Sequence, residues 1–361
     1  MTAIETPPAA VAGKMRQTVA LGADFWNDSC SESELRDAVA HGASGATSNP
    51  VIVYTVIKQD RAAWLPVLDD LIARHPEASE DEVAWKLIEE LGRRAAAILR
   101  PTYDATAGRQ GFLSMQVNPK LYRSAPRMVE HGRSLAALAP NIAIKCPATE
   151  AGLRAAEELV AAGINVNATV SFSVSQAVAA AEAFERGLAR ARQAGHDLQR
   201  LHPYTTLMVG RLDDLLQRVL ARDAVSIDPG YLHWAGIAVF KRAREVFARR
   251  GFSATLLAAA YRHHLHWSEL IGRGVILTMP YSWWKQFEAS DVPVAPSLER
   301  PVEPQIVQAL HARFADFRRA YDEGGLAPAE FVRYGASIHT LNQFIGGYQD
   351  LLGLVRERQL A

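Results

Sequence analysis

Two hydrophobic periods alternate along this chain, and that alternation is what most constrains its fold. Eight short β-rich runs recur: VALGADFW from Val19, GASGATS from Gly42, GFLSMQV from Gly111, NIAIKC from Asn141, INVNATVS from Ile164, YTTLMVG from Tyr204, ATLLAAA from Ala254 and GVILTMP from Gly274. Between them lie longer stretches with apolar residues three and four apart, such as EVAWKLIEELGRRAAAIL and QAVAAAEAFERGLARARQ. Strand–helix alternation implies parallel strands joined by helical crossovers. Eight such units close into a (β/α)8 TIM barrel, and 361 residues suffice for that plus insertions. A doubly wound open sheet is the rival. It would carry a glycine-rich phosphate loop after its first strand, and none is present.

No composition shift marks a domain boundary. Residues 1–16 are expected to be a flexible tail, without the basic start and apolar core of a signal peptide. Residues 17–361 are expected to be a single barrel domain. Its C-terminal extension from Pro301 is helical, broken at AYDEGGLAP, and RDAVSIDPGYLHW from Arg222 is a loop insertion between two helices.

Thirty-nine basic residues balance 39 acidic ones, which argues against nucleic acid or an anionic membrane as partner. A small anionic substrate needs only one or two well-placed arginines. Two cysteines, Cys30 and Cys146, are too few for a disulfide scaffold and fit a cytoplasmic protein. No apolar run reaches membrane-spanning length.

In a barrel of this kind chemistry sits at the C-terminal ends of the strands. Side chains alternate along a strand. In NIAIKC this sends Ile142 and Ile144 toward the helices and Asn141, Ala143 and Lys145 into the barrel. In INVNATVS it groups Asn165, Asn167 and Thr169, a polar row that is costly unless each group finds a partner. GATSNP places Thr47 and Asn49 on one side, and DFWNDS offers Asp24 and Asp28. A lysine, a carboxylate and several neutral donors suit Schiff-base chemistry. The amine must be neutral to attack a carbonyl, and burial favours the neutral form. A carboxylate then shuttles the proton as a carbon–carbon bond breaks. A lone lysine at a strand end more commonly snorkels to solvent. Here only seven of the 39 basic residues are lysines, so one kept inside a strand is less interchangeable with arginine, which does not give up its proton.

At these residues the chain resembles the transaldolase family. GATSNP resembles the family's turn after its second strand, and IKCPATEAGLRAAEELVAAGINVNATVSFSVSQA resembles its signature block over more than thirty residues. The resemblance implies a barrel whose fourth-strand lysine forms a Schiff base with a ketose phosphate. By position, Lys145 is then the nucleophile and Asp28 the general acid/base at the C4 hydroxyl, with Asp24 the weaker candidate. Thr47 and Asn49 match the turn that contacts substrate. Asn167 and Thr169 match the pair that holds the donor's hydroxyls and the catalytic water. Thr206 stands where the family usually has Ser. Arg211 and Arg262 match its phosphate-binding cations.

The resemblance further implies transfer of a dihydroxyacetone unit between sugar phosphates, with no metal or organic cofactor, in a protein that often forms homodimers. Two positions depart from the pattern. Gln116 replaces the catalytic glutamate, as in the fructose-6-phosphate aldolase branch; it can orient a water but cannot accept its proton. Met208 replaces an aromatic residue. A lyase that releases free dihydroxyacetone, a specialised transaldolase of secondary metabolism and a barrel that binds sugar phosphates without turnover are the alternative readings.

His263, His264 and His266 in YRHHLHW read as solvated or core histidines at a helix start, with His263 or His264 near enough to Arg262 to reach a phosphate. Trp283 and Trp284 are expected to pack the helix after the eighth strand, and Cys146 to be a small core residue.

Overall fold

The computed structural model describes residues 13–361. Among them eight strands run parallel: β1 Asp24–Asn27, β2 Gly45–Thr47, β3 Phe112–Gln116, β4 Ile142–Pro147, β5 Val166–Thr169, β6 Tyr204–Met208, β7 Thr255–Ala259 and β8 Val275–Met279. They pair in chain order and close β8 onto β1 as a barrel. The helices are α1 Lys14–Ala20, α2 Glu32–Ala40, α3 Pro50–Gln59, α4 Arg61–Arg74, α5 Glu80–Ala105, α6 Ala125–Ala136, α7 Glu150–Ala161, α8 Val174–Gln193, α9 Val209–Asp223 and α10 Ala235–Arg250. The C-terminal part adds α11 Leu265–Ser268, α12 Tyr281–Ala289, α13 Pro304–Arg313, α14 Ala315–Tyr321 and α15 Gly335–Gln359. None of them is long and apolar enough to cross a membrane.

Three strand-to-helix turns are fixed by side-chain caps. Asn49, Thr149 and Ser173 accept from the backbone N–H groups of Ile52, Gly152 and Gln176 and so start α3, α7 and α8. The barrel's lower interior is an aromatic plug. Trp26 meets Tyr204 edge-on at 5.1 Å, and Phe112 meets Tyr204 at 6.2 Å. Gly45 is required there, because a Cβ at that position would stand 2.5 Å from the Trp26 indole. The opposite strand faces meet helices: Phe25 packs on Trp284 of α12, and Met115 lies against Gly92 of α5. Trp284 also donates its indole N–H to Asn27 at 3.0 Å.

α15 is strapped down at its far end. Arg356 pairs with Glu80, Arg358 with Asp69, and Tyr348 donates to Asp81 at 2.8 Å. At Gly347 the helix approaches α3 so closely that a Cβ would meet Val51 at 2.6 Å.

The structure differs from the sequence expectations at four places. The run from Val19 begins in α1, whose buried residues are Met15 and Thr18, and the strand starts only at Asp24. That helix opens at Lys14, inside the span expected as a tail; residues 1–12 of that span lie outside the described residues. Asn141 and Asn165 precede β4 and β5, so the alternation does not carry them inward. Asn141 donates to Ala96 and Gly111 carbonyls, and Asn165 donates to the Arg200 carbonyl and accepts from His202.

Candidate active site

β4 carries Lys145 to the barrel interior, where its side chain ends 3.0 Å from the Ser48 carbonyl. Gln116 of β3 and Asn167 of β5 are its register partners. Burial lowers the pKa of the Lys145 amine, with the Asp28 charge opposing. Asp28 stands one residue past β1, its N–H bonded to the Met279 carbonyl at 2.9 Å. Burial raises its carboxyl above the usual range, against the pull of Lys145, Thr47 and Arg211. An amine inclined to lose its proton thus faces a carboxyl inclined to hold one, the pairing that acid–base work requires.

Hydroxyls and amides brace this pair. Thr47 Oγ1 donates to Asp28 Oδ1 at 2.5 Å and lies 2.7 Å from Thr278 Oγ1. A hydroxyl has one proton, so Thr278 donates to Thr47 when Thr47 donates to Asp28. Thr206 donates to Asn167 Oδ1 at 2.7 Å, and Asn167 Nδ2 donates to Ser114 at 3.1 Å, which fixes the amide's orientation. Gln116 Oε1 is buried without a partner among the described residues. Asn49 Oδ1 is committed to capping α3, at 3.0 Å from the Ile52 nitrogen.

The arginines stand farther out. Arg262, just after β7, binds Asp214 with Nε and Nη2 at 3.0 and 2.7 Å. Arg211, in the first turn of α9, lies 4.0 Å from the same carboxylate, and its Nε is buried without a partner among the described residues. Burial and then the Arg262 charge lower the basicity of Arg211. Close approach permits this placement, since a Cβ on Gly210 would fall 2.0 Å from the Ala260 carbonyl oxygen.

Eight of the residues singled out in the sequence, Asp28, Thr47, Asn49, Lys145, Thr169, Thr206, Arg211 and Arg262, line one cavity of about 180 Å³ at the C-terminal ends of the strands. Met208 lines it too. Gln116 and Asn167 flank Lys145 but lie outside that wall. Asp24 is not in the cavity; it accepts from Gln110 at 2.8 Å. Sequence reasoning missed Thr278, Gln343 and Phe344, which also line the wall. Alternation along GVILTMP would have reached Thr278, whereas nothing local marks two residues of a distant helix. A larger open groove of about 1130 Å³ runs outside the barrel past Trp85 and His131, lined by helix and loop residues.

The histidine run is structural. Asp213, His263 and His266 lie within 4.8 Å of one another, spaced as metal ligands could be. His266 Nδ1 accepts the Arg262 backbone N–H at 3.1 Å, so its proton resides on Nε2 and is donated to Asp213 at 2.9 Å. A metal on that Nε2 would force the proton onto Nδ1, against a donor. These residues therefore do not fit a metal ion; the trio holds the backbone from which Arg262 projects. Cys30 and Cys146 are buried, their thiols pushed up to about 12 by burial, which makes them poor nucleophiles.

Residues 25–323 match the model of the family described as Transaldolase/Fructose-6-phosphate aldolase. A protein named Transaldolase from Thiobacillus denitrificans is 30% identical over 374 residues, covering 93% of this chain and 97% of that protein. Transaldolase 1 from Streptomyces avermitilis is 31% identical, covering 72% of this chain and 75% of its own. Transaldolase from Thermobifida fusca is 31% identical, over 74% and 79% respectively. With a match that spans the barrel strands and every residue of the cavity except the two from α15, the chain belongs to the Transaldolase/Fructose-6-phosphate aldolase family.

Proposed function

We propose that this protein transfers a dihydroxyacetone unit from a ketose phosphate to an aldose phosphate through an imine on Lys145. The observation that carries this is a buried lysine of lowered basicity, facing a carboxyl of raised pKa, in one cavity with two arginines. The neutral amine of Lys145 adds to the ketose carbonyl, and loss of water gives the iminium. Asp28 takes the proton of the C4 hydroxyl. The C3–C4 bond then breaks, its electrons moving into the iminium to leave an enamine on Lys145. The enamine carbon adds to the acceptor aldehyde, and Asp28 returns its proton to the new alkoxide. Water then releases the product.

Arg211 and Arg262 hold the phosphate through charge-assisted hydrogen bonds. Thr47, Asn49, Thr206 and Asn167 direct the sugar hydroxyls or one another. Thr169 and Gln116 orient the water, Gln116 through the carbonyl that lacks a protein partner. Gln116 also supports a second reading, the lyase that lets dihydroxyacetone go, because no carboxylate is present at that position to manage the water's proton.

Borohydride trapping with fructose 6-phosphate, read by intact-protein mass, tests the imine. An adduct in the parent and none in Lys145→Ala is the expected result. No adduct in the parent with any ketose phosphate would leave a barrel that binds without turnover. Free dihydroxyacetone formed without acceptor aldehyde would select the lyase.

A further inference from the structure

α15 supplies two residues to the cavity wall, Gln343 and Phe344, and lies beyond the span that matches the family model. Phe344 is 2% exposed and seats the helix. Gln343 is exposed beside it. Its amide has no hydrogen-bond partner among the described residues, so its two N–H donors and its carbonyl oxygen stand free at the mouth. His339, one turn earlier, shares this helix face. After burial, the charges of Arg218 and Arg211 are what most lower its pKa, and Asp214 and Arg262 also act on it. Gln343 itself lines the same cavity as Arg211 and Arg262. Its position is held by the contact of Gly347 with Val51, itself a cavity residue.

Arg262 is partly committed to protein acceptors. Arg262 has Nε and Nη2 on Asp214 and Nη1 on the Tyr261 carbonyl, and Asp214 adds a negative charge beside the pair. A phosphate dianion presents three strong acceptor oxygens, and α15 brings the Gln343 amide into the wall of the cavity that holds both arginines. Resting on the imine reading above, we propose that Gln343 is a specificity-determining residue that donates its amide N–H to the phosphate end of the bound sugar phosphate. A neutral amide adds a donor there, whereas a carboxylate would face the dianion.

The test compares parent, Gln343→Ala and Gln343→Glu by the half-saturation of borohydride trapping with fructose 6-phosphate and with dihydroxyacetone. The ratio of the two half-saturations is expected to move against the phosphorylated ligand, by about threefold to tenfold in Gln343→Ala and by more than about tenfold in Gln343→Glu, while the maximal trapping rate holds. A ratio unchanged in both variants overturns the assignment while leaving the imine chemistry standing. Calorimetry with inorganic phosphate on the same proteins reads Gln343 without any imine. Should the parent trap no ketose phosphate, weaker phosphate binding in Gln343→Glu still supports the contact, and equal binding overturns it.

Discussion

Two lysines are buried in this protein, and they are buried differently. Lys145 is 5% exposed and Lys241 is 7% exposed, and burial lowers the basicity of both. Lys241 donates to the Ser297 carbonyl at 2.9 Å and the Arg300 carbonyl at 2.6 Å and lies 3.6 Å from Glu269, so two hydrogen bonds and an ion pair hold it as a cation. It ties α10 to the chain that follows α12. Among the described residues Lys145 has one hydrogen-bond acceptor, the Ser48 carbonyl. An ammonium needs three acceptors and an amine needs fewer, so the surroundings of Lys145 suit the neutral nucleophile and those of Lys241 suit the cation. Burial alone does not make a lysine reactive; sparse satisfaction of its protons does.

The largest effect should come from exchanging roles. Lys145→Ala is expected to abolish trapping and lower turnover on the order of 10⁴-fold or more, whereas Lys241→Ala should still form the adduct at Lys145. Intact mass after borohydride separates the two, and an adduct surviving Lys145→Ala would break the comparison. Next comes the proton partner. Asp28→Asn should lower kcat by about 10²–10⁴-fold while imine trapping persists, since addition to the carbonyl precedes the step that needs the carboxylate.

Stability should move in opposite directions. Because burial depresses Lys145, the unfolded chain binds the extra proton, and stability is lost as pH falls from the ordinary lysine range toward the depressed value. Lys145→Met removes that cost and is expected to hold or raise Tm at neutral pH. Lys241→Met leaves two carbonyls short of a donor and removes one ion-pair partner of Glu269, and should cost about 1–3 kcal/mol by denaturant unfolding. The smallest expected effect sharpens the contrast most. Gln116→Glu gives Lys145 the kind of carboxylate neighbour that Lys241 has in Glu269. A nearby negative charge raises an amine's pKa, so the acid limb of the trapping rate against pH should move upward by about one unit. An unmoved limb would mean that Gln116 does not face the Lys145 nitrogen.

Much of the site was legible from periodicity and residue type. Strand alternation put Lys145 inside because Ile142 and Ile144 have to meet helices, and it paired Asn167 with Thr169 within one strand. The same rule failed at Asn141 and Asn165, one residue outside their strands, where backbone carbonyls of neighbouring elements claim the amides. It also misread Val19, whose run crosses from helix to strand, because a short apolar run fits either period. Asp213 was not singled out, since its meaning lies in two histidines 50 and 53 residues away.

The sequence by itself determined the alternation of eight strands and helices, which with no glycine-rich loop after the first strand favours a closed barrel, and it determined which lysine faces inward. Tertiary structure decided the electrostatics. The lowered basicity of Lys145 and the raised pKa of Asp28 arise from desolvation, which exists only once the barrel has closed around them. It also decided the reach of the site, because Gln343 enters the pocket through the docking of α15 across the barrel mouth. That docking depends on Gly347 against Val51 and on ion pairs to helices far earlier in the chain, and no local pattern encodes such meetings.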